Sequence, residues 1–573
     1  MDERGWGECD FIFVSGDAYV DHPSFGAPLI CRVLEDEGYK VGIIPQPAWT
    51  RGPGQNPSPP EGSYQAPSIT TLGRPRLAFL AGAGNLDSMV AHYTAAKRKR
   101  SDDAYSPGGQ AGFRPDRALL RYVEEIRRAY KQVPVIIGGI EASLRRFAHY
   151  DYWSDKVRRS VLLDSKADIL VYGMGERAIM EIAQRLAQGE PIEEIDDVAG
   201  TCVRGQERPP KALELPSYET VKGGDPASLR AYAEHFMICR ANGDPLKGRI
   251  LAEPYDSDGP RQRWVIQNPP ALPLDTAELD RIYELPFTRL SHPIYDGAGG
   301  IPALKEVQFS LVSSRGCFGG CSFCSITFHQ GRAVQSRSKE SLVREAQGLT
   351  ALPGFKGYIH DVGGPTANFF SPPCDIQRAG GFCTHRECLF PAPCPELRPD
   401  HGPYLEALAA LDRASPTIKK IFIRSGIRFD FIALDRQKGR EFLETLCRSH
   451  VSGQLRVAPE HVSAQVLHAM GKTGGYAEFN REFTEINKAL GLKQYLVPYL
   501  ISGHPACGME EARELERFLK GMGFIPDQVQ DFYPTPGTLS TVMYRTGMDP
   551  RSGETLHVPG EKERRLQREL LRK

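Results

Sequence analysis

Three cysteines lie in one short glycine-rich stretch, Cys317, Cys321 and Cys324, with three and then two residues between them. An apolar, strand-like run at 307–312 precedes them, and the glycines let the backbone approach a bulky group closely. Three thiolates can hold three corners of a [4Fe-4S] cluster, which normally takes four. The fourth iron would then be free to bind another molecule, which predicts catalytic chemistry. The spacing alone would also suit a zinc site or an electron carrier.

The neighbouring residues narrow these alternatives. An aromatic residue, Phe323, stands directly before the last cysteine, and this C-x3-C-x2-C pattern resembles the signature of the radical S-adenosylmethionine (AdoMet) superfamily. More narrowly, most of the 573 residues resemble the YgiQ-type family of that superfamily. The resemblance implies a [4Fe-4S] cluster on the three cysteines, with AdoMet on the open iron. It implies reductive cleavage of AdoMet to a 5′-deoxyadenosyl radical that modifies a substrate of unknown identity.

The resemblance also implies AdoMet contacts at the ends of the strands that follow the cysteines. A glycine pair, Gly363 and Gly364, would meet the amino group, but Pro365 follows it where the superfamily usually has Glu. Asp361 or Thr366 could replace that polar group. The further expected AdoMet contacts are Phe323, Ser425, Arg456, Glu460, Ser502 and Gly503.

A second set of cysteines follows the glycine pair. It comprises Cys374, Cys383, Cys388 and Cys394, with eight, four and five residues between them. Four soft ligands in a short irregular loop can close a tetrahedral zinc site or hold a further iron–sulfur cluster. Free thiols are the third alternative, and the spacing does not choose among the three.

Alternating strands and helices position these residues in both halves of the chain, which predicts an α/β fold. Residues 1–205 should form a doubly wound parallel sheet, with one of its helices over 156–163. Residues 206–300 are rich in Pro and Gly and are interpreted as a connector. Residues 301–573 should form the partial (β/α)6 barrel of the superfamily, with a cysteine-rich insertion at 371–402 and a C-terminal helix. Such barrels bind ligands at the carboxyl ends of their strands.

The predicted N-terminal sheet resembles a cobalamin-binding Rossmann-like domain through Val135–Gly139 and Asp168–Glu176. The cobalt-ligating D-x-H-x-x-G is absent, because Asp21 and His22 are adjacent and three residues separate His22 from Gly26. Cobalamin is therefore not expected. A cobalamin-assisted methyltransferase and a non-catalytic scaffold or electron carrier stay as alternatives to the enzyme described above.

Composition restricts the partners. Lys and Arg total 71 and Asp and Glu total 71, so no net charge draws the chain to nucleic acid or to a membrane surface. The basic run Lys97–Arg100 is either a solvated loop or a local contact for an anion or a nucleic acid. No long apolar run or signal core is present, which predicts a cytoplasmic protein with reduced cysteines. The resemblance implies a reductase partner such as a flavodoxin or a ferredoxin.

Overall fold

The structure is a computed structural model, and it describes residues 1–50, 64–256, 262–523 and 529–572. The chain forms two compact units. The first unit is Met1–Leu272 with Leu285–Gln308, and the second unit is Pro273–Glu284 with Phe309–Lys573. These bounds differ from the predicted division at residues 205 and 300, because most of the predicted connector belongs to the first unit.

A nine-stranded sheet forms the centre of the first unit. The strands of this unit are β1 Phe11–Ser15, β2 Val41–Pro45, β3 Ala78–Gly82, β4 Val135–Gly138, β5 His149–Asp151, β6 Lys156–Arg158, β7 Ile169–Val171, β8 Thr201–Gly205, β9 Leu213–Glu214, β10 Leu251–Tyr255 and β11 Arg263–Gln267. The sheet order is β2-β1-β3-β4-β7-β8-β11-β10-β9, while β5 and β6 pair separately. Its first five strands are parallel, and β8 and β11 add antiparallel pairs.

Helices cover both faces of this sheet. The α-helices of the first unit are α1 Gly26–Asp36, α2 Ser88–His92, α3 Ala118–Ala129, α4 Gly139–Leu144, α5 Val161–Ser165, α6 Glu176–Ala187, α7 Tyr218–Val221, α8 Pro226–Ala241 and, after α9 of the second unit, α10 Pro302–Val307. Leu119 and Val123 of α3 pack with Phe79 in one apolar cluster, whereas Leu34 of α1 and Ile179 of α6 pack in another. The predicted doubly wound α/β sheet is confirmed.

One local prediction is wrong in this unit. The helix predicted over 156–163 is wrong at its start, because Lys156–Arg158 is a strand that alternates exposed and buried residues. The helix begins only after Ser160, whose hydroxyl accepts a hydrogen bond from the Leu162 amide at 3.2 Å. Part of the predicted connector is also sheet, since residues 213–267 contain β9, β10 and β11.

The second unit carries the remaining strands. They are β12 Ser310–Val312, β13 Ser314–Arg315, β14 Gln335–Ser336, β15 Tyr358–Ile359, β16 Asp361–Gly363, β17 Lys420–Ile421, β18 Gln454–Glu460, β19 Tyr495–Ser502 and β20 Gln530–Asp531. β12 pairs with β16, β15 with β17, β18 with β19, and β19 with β20, all in parallel. A parallel bridge from Ile427 to Val457 joins the third strand position to the fourth. Since β15 and β16 are halves of one strand, six neighbouring strand positions follow chain order, which confirms the partial barrel.

The α-helices of the second unit lie between and after these strands. They are α9 Thr276–Tyr283, α11 Ser325–Gln330, α12 Lys339–Leu349, α13 Asp375–Arg378, α14 Gly402–Asp412, α15 Phe429–Leu434, α16 Gly439–Thr445, α17 Ala464–Met470, α18 Tyr476–Leu490, α19 Met509–Gly521, α20 Leu539–Thr546 and α21 Glu561–Leu571. Leu342 of α12, Tyr404 of α14 and Phe479 of α18 pack against strand residues such as Val457 in one core. None of the helices in the described residues is long and apolar enough to cross a membrane.

Candidate active site

The three signature cysteines lie in a loop whose ends are paired by β13 and β14. Gly316 has a φ of +80°, and a Cβ on it would overlap the carbonyl oxygen of Ala333. Cys317, Cys321 and Cys324 are partly exposed and lie close enough to interact electrostatically. Burial raises the pKa of Cys317, and it raises that of Cys324 to about 12. The loop therefore brings together three thiols, and a positive charge close to their sulfur atoms would favour the thiolate form.

A buried guanidinium lies against this loop. Nη1 of Arg428 is 3.3 Å from the carbonyl oxygen of Gly319 and 3.5 Å from Sγ of Cys321. The other guanidinium nitrogens donate to both carboxylate oxygens of Asp430. Burial alone would lower the pKa of Arg428, but Asp430 and Cys321 raise it, so the side chain is charged. A Cβ on Gly319 would lie 2.6 Å from Nη1, which explains the need for glycine at that position.

Arg428 is held by the segment that follows the second barrel strand. The side-chain oxygen of Asn368 accepts from the Arg428 amide at 2.9 Å, and its nitrogen donates to the Arg428 carbonyl at 3.0 Å. Nε2 of His401 is 3.2 Å from the same Asn368 nitrogen, and Nδ1 of His401 is 2.8 Å from Asp435. The Arg428 position is therefore fixed on both sides of its peptide. Sequence reasoning missed Arg428, because no local pattern shows that this arginine is buried.

The glycine pair lies where three strand ends meet. A Cβ on Gly363 would overlap Oγ of Ser425, and one on Gly364 would lie 2.5 Å from the Ser314 carbonyl oxygen. The Asp361 carboxylate accepts hydrogen bonds from the Arg424 amide at 2.7 Å and from the Ser425 amide at 3.1 Å. It also accepts from the Ser425 hydroxyl. The glycine pair and the Asp361 carboxylate are thus both needed where the second strand meets its neighbours.

Of the two polar candidates beside this pair, Thr366 is the one that reaches the cysteine loop. Its Oγ1 is 3.6 Å from Sγ of Cys317. The Asp361 carboxylate instead accepts hydrogen bonds from backbone amides at the neighbouring strand end. The structure therefore brings Thr366 next to one of the predicted cluster ligands.

Glu460 lies at the end of β18 in a buried charged group. Its carboxylate is 3.8 Å from Nζ of Lys472, and its φ is +67°. Burial raises the pKa of Glu460, and the nearby Lys472 and Arg428 oppose that rise. Arg456 of the same strand is exposed instead. The two predicted contacts on β18 are thus in different surroundings.

The remaining predicted AdoMet residues lie beside the C-terminal helix. Phe323 packs edge to face with His504, with ring centroids 6.3 Å apart. The Ser502 hydroxyl donates to Asp531 at 2.9 Å. The Gly503 amide donates to the side chain of Gln567 at 2.9 Å. Ser502 and Gly503 are therefore each hydrogen-bonded to a side chain of the protein.

The ligand position of the first sheet is filled by side chains. In sheets with this strand order, ligands bind where β1 and β3 diverge. Arg114 is fully buried there, 2.9 Å from Asp17 after β1, 3.1 Å from Asp103, and 2.9 Å from the Ala83 carbonyl oxygen after β3. Burial raises the pKa of Asp17 to about 6, against the opposing effect of Arg114.

His22, the nearest match to a cobalt ligand, is buried in the same unit. Its Nδ1 accepts from the Ser24 amide at 3.0 Å, and its Nε2 lies 2.9 Å from the guanidinium of Arg289. Burial and Arg289 lower the pKa of His22. Because both ring nitrogens are engaged, His22 does not fit the role of a cobalt ligand.

The doubly wound sheet, the six-strand half-barrel and the three-cysteine loop together define a radical AdoMet protein. Family models agree: Radical SAM N-terminal matches residues 1–310, Radical SAM superfamily matches 311–519, and a domain of unknown function, DUF3362, matches 527–573. The chain belongs to the UPF0313 family of these proteins, as its relatives show. This confirms the YgiQ-type assignment made from the sequence.

Two UPF0313 relatives come from Clostridium. One, from Clostridium botulinum strain 657, is 50% identical over 567 residues and aligns with 98% of this chain and 85% of its own length. The other, from Clostridium perfringens strain 13, is 50% identical over 577 residues, 100% of this chain and 83% of its own.

Solved structures show more remote likenesses. The methyltransferase TsrM from Kitasatospora setae, solved with cobalamin and a [4Fe-4S] cluster, has a TM-score of 0.47 and 14% identity, over 92% of this chain and 74% of that one. The cobalamin-dependent enzyme OxsB, solved with aqua-cobalamin and AdoMet, has a TM-score of 0.46 and 12% identity, over 90% of this chain and 52% of that one. At these TM-scores and identities the likeness indicates nothing about the cofactors that this chain binds.

Proposed function

We propose that this chain is a radical AdoMet enzyme in which Cys317, Cys321 and Cys324 hold a [4Fe-4S] cluster with one open iron. The observation that carries the proposal is the position of Thr366, which follows the glycine pair by two residues. Its Oγ1 lies 3.6 Å from Sγ of Cys317. With cluster and AdoMet bound, they would supply a 5′-deoxyadenosyl radical that takes a hydrogen from a substrate.

The chain's own residues would hold the cluster and AdoMet. The Gly319 amide points at Cys317 Sγ from 3.4 Å, and the Arg428 guanidinium points at Cys321 Sγ from 3.5 Å. Hydrogen bonds and positive charge at the sulfurs stabilise the negative cluster. Backbone groups at Gly363 and Gly364 would bind the amino group of AdoMet, and Glu460, beside Lys472, lies at the end of the fourth strand position, β18.

Several finer features belong to the same proposal. Phe323, Ser425, Arg456, Ser502 and Gly503 are proposed as further AdoMet contacts, of which Ser502 and Gly503 would have to exchange bonds to Asp531 and Gln567. The electron would come from a one-electron reductase such as a flavodoxin or a ferredoxin. No step is assigned to cobalamin, because His22 and the filled position at Arg114 do not fit it.

The test is AdoMet cleavage by the anaerobically reconstituted chain. Wild type with dithionite and AdoMet should release 5′-deoxyadenosine, and the variant Cys317→Ala/Cys321→Ala/Cys324→Ala should release none. Cys447→Ala serves as the control, since Cys447 is a buried core thiol outside both cysteine sets. Equal product from wild type and the triple variant would exclude the proposal and favour a scaffold or electron carrier.

A further inference from the structure

The four cysteines of the second set lie together in the loop that follows the second barrel strand. Cys388 interacts electrostatically with Cys374, Cys383 and Cys394, and Cys383 with Cys374 and Cys394. All four are partly exposed rather than buried in the core. The fold thus brings together thiols that are up to 20 positions apart in sequence (394 − 374 = 20), at a place that metal ions can reach from solvent.

Backbone hydrogen bonds close this loop around the thiols. The Cys394 amide donates to the Cys388 carbonyl oxygen at 2.8 Å, and the Arg398 amide donates to that of Pro373 at 2.9 Å. The side-chain amide of Gln377 lies 3.8 Å from Cys388 Sγ and also accepts from the Val334 amide at 3.2 Å. The loop is therefore a closed structure that is fixed to the segment after the signature cysteines.

One buried cation, Arg332, lies between the two cysteine sets. Its guanidinium donates to the carbonyl oxygens of Cys383 at 2.8 Å and Arg386 at 3.2 Å, and it is 2.6 Å from the Glu387 carboxylate. It interacts electrostatically with Cys388 and Cys383 of the second set and with Cys317 of the first. Glu387 already compensates this buried charge, and an anionic thiolate cluster on either side would interact favourably with it as well.

The two cysteine loops are also in direct contact. A Cβ on Gly320, between two signature cysteines, would lie 2.5 Å from the carboxylate of Glu387, beside Cys388. Cys317 and Cys388 pack against the same apolar cluster, which contains Phe318 and Phe369. Whatever the second set holds is therefore adjacent to the first set.

The surroundings of the second set favour an iron–sulfur cluster over a zinc ion. Hydrogen-bond donors at the ligand sulfurs stabilise such a cluster. The Gln377 side-chain amide lies 3.8 Å from Cys388 Sγ, as the Arg428 guanidinium lies 3.5 Å from Cys321 Sγ in the signature set. The second set thus resembles the signature set, whose family binds a cluster.

We propose that Cys374, Cys383, Cys388 and Cys394 hold a second [4Fe-4S] cluster, adjacent to the first and separated from it by Arg332. Four thiolates would ligate all its irons, so this cluster would not bind AdoMet. The second site goes beyond the proposed function and does not depend on it, because its ligands are separate.

The test is the metal content of the full chain after anaerobic reconstitution with iron and sulfide. Wild type should hold about 8 Fe and 8 sulfide. The variant Cys317→Ala/Cys321→Ala/Cys324→Ala should keep about 4 of each, with a cluster spectrum. So should Cys374→Ala/Cys383→Ala/Cys388→Ala/Cys394→Ala, and only that variant should still cleave AdoMet.

The signature-cysteine variant decides the question, since it leaves the four cysteines of the second loop unchanged. Its iron, sulfide and zinc are measured on protein whose circular dichroism matches wild type. A natively folded variant with no sulfide, or with one zinc and no iron per chain, would overturn the second cluster. Failure of wild type to cleave AdoMet while this variant keeps about 4 Fe would instead overturn only the proposed function.

Discussion

Arg428 should set how easily the proposed cluster is reduced. Its guanidinium lies 3.5 Å from Cys321 Sγ, and Asp430 holds it there. Reduction adds negative charge, which a nearby cation and hydrogen-bond donor stabilise. We expect Arg428→Gln to lower the midpoint potential of the cluster, measured by an EPR-monitored titration of the variant that lacks the second cysteine set. A tenfold loss in the reduction equilibrium corresponds to about 59 mV for one electron.

The control for this prediction is Arg428→Lys, which keeps the charge but not the planar guanidinium. It should shift the potential less than Arg428→Gln does. Iron content must match wild type in both variants, so that a structural defect is not mistaken for an electrostatic effect. An unchanged potential in a fully loaded Arg428→Gln protein would contradict the prediction.

Gly364 should be irreplaceable for a steric reason that its neighbour Gly426 does not share. A Cβ on Gly364 would lie 2.5 Å from the Ser314 carbonyl oxygen, whereas one on Gly426 would meet nothing within 4 Å. Forcing a methyl group into backbone costs about 1–3 kcal/mol. Gly364→Ala should therefore lower the urea midpoint, and Gly426→Ala should leave it nearly unchanged. Equal midpoints for the two variants would show that the strand end can shift without cost.

Residues within a local motif were predictable, and residues that act across the fold were not. Cys317, Cys321 and Cys324 could be predicted because all three lie in one loop and form a recognisable C-x3-C-x2-C pattern. Arg428 stands more than 100 positions after Cys321 (428 − 321 = 107), and only the adjacency of barrel strands brings it to that thiol. Its partner Asn368, 60 positions away in sequence, could not be predicted for the same reason.

At the scale of elements, the helix after the cysteine loop depends on one cap. Oγ of Ser338 accepts from the Ser341 amide at 3.0 Å at the start of α12, which buries Leu342 and Ala346. Replacing such a cap by alanine costs about 1 kcal/mol. Ser338→Ala should lower the unfolding free energy by that amount in urea titration. Ser338→Thr keeps the hydroxyl and should not, and equal losses in both variants would assign the effect to packing instead.

Elements with a clear period were predictable, whereas paired short strands were not. The apolar residues of the segment 116–131 recur near every 3.6 positions and predict a helix there, and α3 lies within two residues of both ends. β10 contains Pro254, and β9 is only two residues long, so neither has the alternation of an isolated strand. They are strands because of their pairing. β9 pairs with β10, and β10 is joined through β11 to β8, and these partners are distant in sequence. Long-range pairing of this kind leaves no local signal.

At the scale of the whole molecule, buried neutral histidines should make stability depend on pH. Burial lowers the pKa of His149 and His504 to about 3, and that of His461 to about 4. An unfolded histidine has a pKa of about 6.5. Between these values each of these histidines binds more protons in the unfolded chain than in the folded chain, so its contribution to stability falls as the pH falls through 6.5. From pH 8 to pH 6 each histidine should remove about 0.8 kcal/mol.

His504 isolates one part of this dependence, because it is fully buried between the Ser540 hydroxyl and the Pro505 carbonyl oxygen, both 2.7 Å away. His504→Gln should be less stable than wild type at pH 8, since the replacement repacks a buried site. Its further loss of stability between pH 8 and pH 6, from urea titrations followed by circular dichroism, should be smaller by about 0.8 kcal/mol. The exposed His557 provides the control, and His557→Gln should keep the loss seen in wild type. If His504→Gln loses as much as wild type over this range, the imidazole of His504 accepts a proton in the folded chain, and its burial is not what makes the protein sensitive to acid.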